Sequence, residues 1–366
     1  MHNPNERQTV AFHVVIRLVQ PLSQLSETIG NQTNLRSVKV IDLEGNTAEV
    51  FALSGNSLRN RVIRRCGIDS FLSYMGVQVS PIMHHTLFCG GALDGGTGSD
   101  MDLDRKIRQF MPCLSVLGTA KPKGVLGGSD AQMIPGRICV GDAYLVCYET
   151  AETIYHQFSP ALPIEVIEPL EQIWQVRQHN RLHRVNQWLG LDSAPMADEK
   201  TVLAEWVPFL VDRLKYGTEW LVYLHRVRND SAHDPNLKAH LSDTPQLSAE
   251  SGKKRGSQQM IIGDWLIQPG ATLYSYWSGN ISRVEEGFIV SALLKFAEAP
   301  YLGGQNGAGR GLCTIEIYHK AGEERGAFLH ITPYAQTLGN RAQESHEHYR
   351  AYLNHNQNEI RKLLNG

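Results

Sequence analysis

The side chains best suited to chemistry in this chain are cationic, and the chemistry they suit is gripping a polyanion. SGNSLRNRVIRRCG carries Arg59, Arg61, Arg64 and Arg65 within seven positions and no acid. On a helix, these four guanidiniums can contact several phosphates. Salt bridges to distant acids are the other reading. Far downstream, YLGGQNGAGRGLCTIEI (Tyr301 to Ile317) places Gly303, Gly304, Gly307, Gly309 and Gly311 in nine positions, with Arg310 among them. A dinucleotide-binding loop follows a strand and opens a helix, so that phosphate rests on the helix N-terminus. Here the helical pattern comes first and the strand pattern second. A P-loop needs a closing Lys and Ser/Thr, and Arg310-Gly311-Leu312 supplies neither. What remains is backbone surface with one cation, suited to an extended polyanion or a neighbouring protein backbone. Taken alone, the segment reads first as a long turn.

Two further cationic groups stand out. Arg177, Arg181 and Arg184, spaced by four and three, share one helical face near His179 and His183, where a solvated face is an equal reading. Lys253, Lys254 and Arg255, between Gly252 and Gly256, form a cationic tip suited to polyanion contact or to an ordinary loop. Readings as metal sites or enzymes are weaker. His84, His85 and Cys89 lack a fourth ligand in spacing. Asp100, Asp102 and Asp104 resemble the start of a calcium loop without its Gly and distal Glu. No G-x-S-x-G elbow occurs, and the Asn/Asp/Pro context of Asp230 and His233 favours a turn. No catalytic residue, metal or cofactor is expected.

The elements that must position these groups come from a chain of 366 residues and 40.9 kDa, long enough for one elaborated domain or two ordinary ones. A formal charge of −2 excludes a uniformly basic coat, so any nucleic-acid contact must be local. Six scattered cysteines without a C-x-x-C pair read as core residues in a reducing compartment. With no export segment at the start and no bilayer-length apolar run, a cytoplasmic protein without membrane contact is expected.

Ala11 to Leu18 reads as a strand, Gln20 to Leu35 as a loop, and residues 38–43 with 48–53 as a hairpin around Glu44-Gly45-Asn46. The arginine segment reads as a short helix begun by Ser54 or Asn56 and ended by Gly67. Residues 90–104 read as a mobile loop with an acidic, solvated end. Ile138 to Cys147 is an expected strand, and residues 164–228 an expected helical insertion. Residues 229–258 read as an exposed projection, and 260–277 as strand broken at Pro269-Gly270. Val284 to Ala299 reads as an amphipathic helix, Leu312 to Tyr318 as a strand, and Asn340 to Leu364 as helix. Without insertions, the order is strand, helix, strand, strand, helix, strand: an α+β protein with a ferredoxin-like, RRM-like core.

SGNSLRNRVIRR after the first strand, PGRICVGDAYLV in the middle and EEGFIVSALLKFAEAPYLGGQNGAGRGLCTIEI near the end together resemble the RAMP superfamily of CRISPR proteins. More closely, they resemble the crRNA-binding backbone subunit of Cascade-type effector complexes. The resemblance implies an RRM-like palm with large helical and loop insertions, the loop insertion acting as a thumb. It implies binding to crRNA, to copies of itself in a head-to-tail filament and to other effector subunits, with target DNA or RNA engaged through guide pairing. Ser57 and Arg59 match the helix motif; Gly303, Gly304, Gly309 and Gly311 match the loop. The expected RNA-binding set adds Arg61, Arg64, Arg65 and Arg310, with Lys253 to Arg255 as the thumb. The palm is expected in 1–67, 137–150 and 263–320. An inserted region occupies 68–136, helical insertion and thumb 151–262, and a C-terminal strand and helix 321–366.

Asn60 stands where the family has Gly. Relatives that cut target RNA use an Asp before the first helix, and residues 20–53 offer only Asp42, expected on a hairpin strand. A guide-processing ribonuclease would place a His near that helix, and residues 53–67 contain none. The expectation is therefore a non-catalytic subunit of a type I or type IV complex. A RAMP ribonuclease, and a ferredoxin-like module that packs a protein instead of RNA, are the alternatives.

Overall fold

Strand β1 (Arg7–Leu18) is covered on both faces from Val10 to Ile16, so its apolar residues run on instead of alternating with polar ones. This computed structural model describes residues 6–29, 32–41, 46–90, 100–126, 131–150, 154, 216–229 and 259–365. In chain order there follow β2 (Leu25–Ile29), β3 (Gln32–Leu35), β4 (Ser37–Ile41), β5 (Thr47–Leu53), β6 (Thr119–Lys121) and β7 (Gln132–Ile134). Next come β8 (Ile138–Val140), β9 (Ala143–Leu145), β10 (Leu221–Asn229), β11 (Gln259–Ile267), β12 (Thr272–Ser282), β13 (Cys313–Ala321), β14 (Glu324–Ile331) and β15 (Gln336–Leu338). The large sheet runs β15-β14-β13-β1-β12-β9-β5-β4, with β8 also paired to β12. Its strands pair antiparallel, and β1 lies against β12 and β13 along most of its length. The architecture is α+β.

A helical stretch follows β5: α1 (Gly55–Leu58), a π-helical segment Arg59–Arg65, and α2 (Cys66–Met75). It continues past Gly67 and stops at Gly76, whose φ of 61° gives the left-handed turn that closes a helix. Gly67 instead marks a close crossing, because a Cβ there would lie 2.6 Å from the Phe288 ring. Beyond α3 (Pro81–Phe88), Asp100 caps α4 (Met101–Phe110) through the Leu103 N–H at 2.9 Å. The acidic run is thus the first turn of a helix, where Asp102 and Asp104 favour the N-terminal dipole, instead of the solvated loop end expected.

After the buried turn α5 (Pro112–Leu117), α6 (Arg283–Ala297) opens on a capping box between Ser282 and Glu285. It is buried on more than one face, because α2 and α7 (Asn340–His355) pack on it as well as the sheet; α8 (Gln357–Asn365) ends the chain. Phe12, Phe71, Trp277 and Phe288 anchor the core.

A second, four-stranded sheet runs β10-β11-β3-β2. Residues 20–35, expected as loop, supply two of its strands. β10 falls where helix was expected, since LVYLHRVRN pairs with β11 instead of continuing a helical face. β11 crosses the expected boundary at 262/263, and Pro269-Gly270 sends the chain from one sheet to the other. Residues 155–215, which hold most of the expected helical insertion, lie outside the described residues.

His13, on β1, is 1% exposed, with Nδ1 2.7 Å from the Tyr274 hydroxyl. Burial, helped by the charge of Lys320, pushes its pKa down to about 4. The unfolded imidazole titrates near 6.5, so between those values the unfolded chain binds more protons. Stability is complete above pH ~6.5 and falls by up to ~3 kcal/mol on acidification towards pH 4. Burial lowers His319 and His346 in the same sense. His13→Gln should flatten this slope in melts from pH 7 to 4; an unaltered slope would remove His13 as a cause.

Candidate nucleic-acid interface

The arginine helix is held at its start by a residue from the second of the three motif segments. Asp142 Oδ1 accepts from the Gly55 N–H at 2.7 Å, and Arg36 donates to Asp142 Oδ2 at 2.7 Å and to the Ala52 carbonyl at 2.8 Å. Ser54 occupies the cap position without a side-chain bond. A Cβ on Gly55 would stand 2.3 Å from the Val140 carbonyl, so the two segments interlock.

The π form of residues 59–65 sorts the arginines. With i→i+5 bonding, residues four and five apart stand on nearly one side, which groups Arg59 with Arg64 and Arg61 with Arg65. Arg64 is 6% exposed and donates to the carbonyls of Leu87 and Gly118 at 2.8 Å and of Leu117 at 3.3 Å. It satisfies the C-terminal ends of α3 and α5, where a cation also complements the dipole. Burial pushes its pKa down to about 10, leaving it charged at neutral pH. Its expected RNA contact gives way to a structural role. Arg59 is half-buried and also donates to Leu117 O. Ser57 is half-buried in the first turn, Arg61 is half-buried and Arg65 is exposed.

The glycine loop is pinned by backbone bonds to the chain leaving β1. Gly304 N–H donates to Ser23 O at 2.6 Å, Gly311 N–H to Pro21 O at 2.8 Å and Leu302 N–H to Gly311 O at 2.9 Å. Gly303 and Gly311 have φ of 70° and 84°, and a Cβ at either would lie 2.1 or 1.9 Å from a carbonyl oxygen. Gly307 and Gly309 face open space. Arg310, expected to meet RNA, instead pairs at 2.8 Å with Asp264, which is 0% exposed, and also donates to Gln305. Thr33 Oγ1 donates to the same carboxylate, so strands β3 and β11 of the second sheet are tied to the loop. Gly311→Ala should therefore cost at least ~2 kcal/mol of stability and disturb the loop, whereas Gly307→Ala should leave melting within about 0.5 kcal/mol of the parent. Equal melting of the two variants would contradict this division.

Arginine helix and glycine loop meet. Only one orientation of the Asn306 amide satisfies both of its ends: turned so, its nitrogen donates to Gly303 O at 3.3 Å and its oxygen accepts from Arg61 Nη2 at 2.9 Å. Beside this contact, a groove of about 600 Å³ is lined by Arg61, Arg65, His84, Phe88, Lys295 and Glu298 among others. His84 stacks on Phe88 with ring centroids 4.4 Å apart, offering a flat face to a base. Lys295 bonds Glu298 at 2.7 Å, which raises its pKa, and lies 3.5 Å from Asp69. Sequence reasoning missed Asn306, Lys295 and the stacking role of His84; the one available signal was an amide between glycines.

Lys253, Lys254 and Arg255 lie outside the described residues, as do Arg177, Arg181, Arg184, Asp42, Asp230 and His233. Among the described residues, no group of three His, Cys, Asp or Glu is placed to hold a metal ion, and no helix is long and apolar enough to cross a membrane.

No family profile matches the chain, and no curated protein matches it in sequence. Among solved structures it is similar to a chain of the Type IV-B CRISPR Complex, with 13% identity over 86% of this chain and 92% of that one, at a TM-score of 0.49. It is also similar to Thermofilum pendens Csc2, with 12% identity over 97% and 77% of the two chains and a TM-score of 0.36. A chain of the Type III-B Cmr-beta bound to cognate target RNA gives 12% identity over 84% and 96%, with a TM-score of 0.34.

Proposed function

We propose that this chain is a non-catalytic, crRNA-binding backbone subunit of a CRISPR effector complex, with a palm of the split βαβ type. The observation that carries this reading is the approach of Asn306 of the glycine loop to the Arg61 guanidinium, 2.9 Å apart, beside the half-open groove that Arg61 and Arg65 line. Cations, a stacking pair and backbone free of side chains bind a ribose-phosphate chain without reading its sequence. Each subunit offers few cations, which suffices when copies line up head-to-tail on one RNA and their contacts add as avidity. The palm reading rests on the succession β1, helix, β8/β9, β12, α6, β13 and on the central strand order β13-β1-β12-β9.

The test is co-expression with a repeat-spacer transcript. The purified protein should carry RNA protected from ribonuclease at a constant interval, and addition of complementary RNA with Mg²⁺ should leave that target intact. An absorbance ratio of bare protein would end the RNA-binding reading; regularly spaced cuts in the target would end the non-catalytic one.

A further inference from the structure

Arg137 of PGRICVGDAYLV takes no part in the groove described above. It lines a cleft of about 960 Å³ near the start of α6, together with Arg7, Arg105, Arg108 and Tyr352. Along α6, the rise from Glu285 at the cleft to Lys295 at the other groove is about 15 Å. At the cleft floor Glu285 is buried, and its oxygens accept from Ser115 Oγ and from the Ser282 N–H at 2.8 Å. Arg7 and Arg137 each approach that carboxylate only to 3.6 Å. Among the described residues, neither guanidinium makes a side-chain hydrogen bond, and Arg137 Nε is buried without an acceptor. Arg108 is occupied by Asp104 and the Pro135 carbonyl, while Arg105 has only an exposed pair with Asp102 at 3.3 Å. Among the described residues, four arginines therefore meet three carboxylates, Asp102, Asp104 and Glu285, and Arg7 and Arg137 share one of them without hydrogen-bonding it.

The rim is apolar. Met101 and Met133 are 77% and 71% exposed, and Pro112 and Pro135 lie beside them in the cleft. Arginine with methionine and tyrosine, and without lysine, is the composition of a protein-binding patch, whereas a nucleic-acid surface is open, wet and uniformly cationic. We propose that this cleft docks an acidic segment of another protein, one carboxylate entering the fork of Arg7 and Arg137 while a neighbouring apolar side chain covers Met101 and Met133. The site lies apart from the RNA groove, so a subunit can hold guide and protein partner at once.

The probe is a fluorescein-labelled ten-residue peptide of alternating Glu and Leu, titrated by anisotropy into the full chain, with oligouridylate and inorganic phosphate as competitors. Binding should fall at least tenfold in Arg7→Gln/Arg137→Gln and in Met133→Glu, the latter a surface change that preserves folding, and neither competitor should displace the peptide. Lack of peptide binding, equal binding by folded Met133→Glu, or displacement by oligouridylate or phosphate would each overturn the proposal, the last by showing an RNA or simple anion site.

Discussion

Replacing Arg61 and Arg65 together by Glu lowers RNA affinity about 100-fold at low salt, from two lost charge-assisted contacts of roughly 1.5 kcal/mol each. Both arginines line the groove beside the glycine loop, and neither has a carboxylate partner among the described residues. On a single strand, each lost phosphate contact reduces the salt slope by about 0.7, so the log-log plot should flatten by ~1.4. Arg64→Gln is the control that separates binding from folding. It strands the Leu87, Leu117 and Gly118 carbonyls and should lower melting while leaving the salt slope of the folded fraction unchanged. Should the double variant fold and keep both affinity and slope, the groove does not hold RNA.

The second large effect concerns α7. Arg341 donates through Nε and Nη2 to both oxygens of Glu286, each at 2.8 Å, and Ser345 Oγ adds a bond at 3.0 Å. Both members of the pair are almost wholly buried. Gly287 lets α7 approach this closely, since a Cβ there would stand 2.0 Å from the Ser345 carbonyl. Arg341→Met leaves the buried carboxylate with Ser345 and with Arg283, 3.8 Å away, in place of the bidentate pair, and should cost about 3–5 kcal/mol. Urea unfolding reads this as a lower midpoint, and adding Glu286→Gln should recover part of the loss because no buried charge then remains. A single variant within 1 kcal/mol of the parent would show that solvent reaches Glu286.

Much of the core was legible because its signals are local. β1, the β4–β5 hairpin, the break at Pro269-Gly270, α6 and the C-terminal helices follow from apolar periodicity and turn chemistry within a few residues. Strands β2, β3 and β10 were not legible as strands. Their residues are polar or of mixed pattern, and what makes them strands is a sheet in which β11 pairs with β10 and with β3, more than 200 positions away, while β2 pairs with β3. The acidic run at the start of α4 was not legible as helix because the same aspartates suit a solvated loop and a helix N-terminus, and only Leu103 and Ile107 docking on the core decides between them.

The candidate site divides in the same way. By itself the sequence determined that arginines cluster at residues 59–65 and glycines at 303–311, since composition and spacing are properties of the chain. Tertiary structure decided which of them face outwards. Arg64 turned in because two helix ends present unsatisfied carbonyls, and Arg310 because Asp264 is buried beside it, while Arg61 and Arg65 stayed at the groove. A cation's role depends on the acceptors within about 3 Å of it, and those come from segments distant in the chain, so no reading of neighbouring residues could assign it.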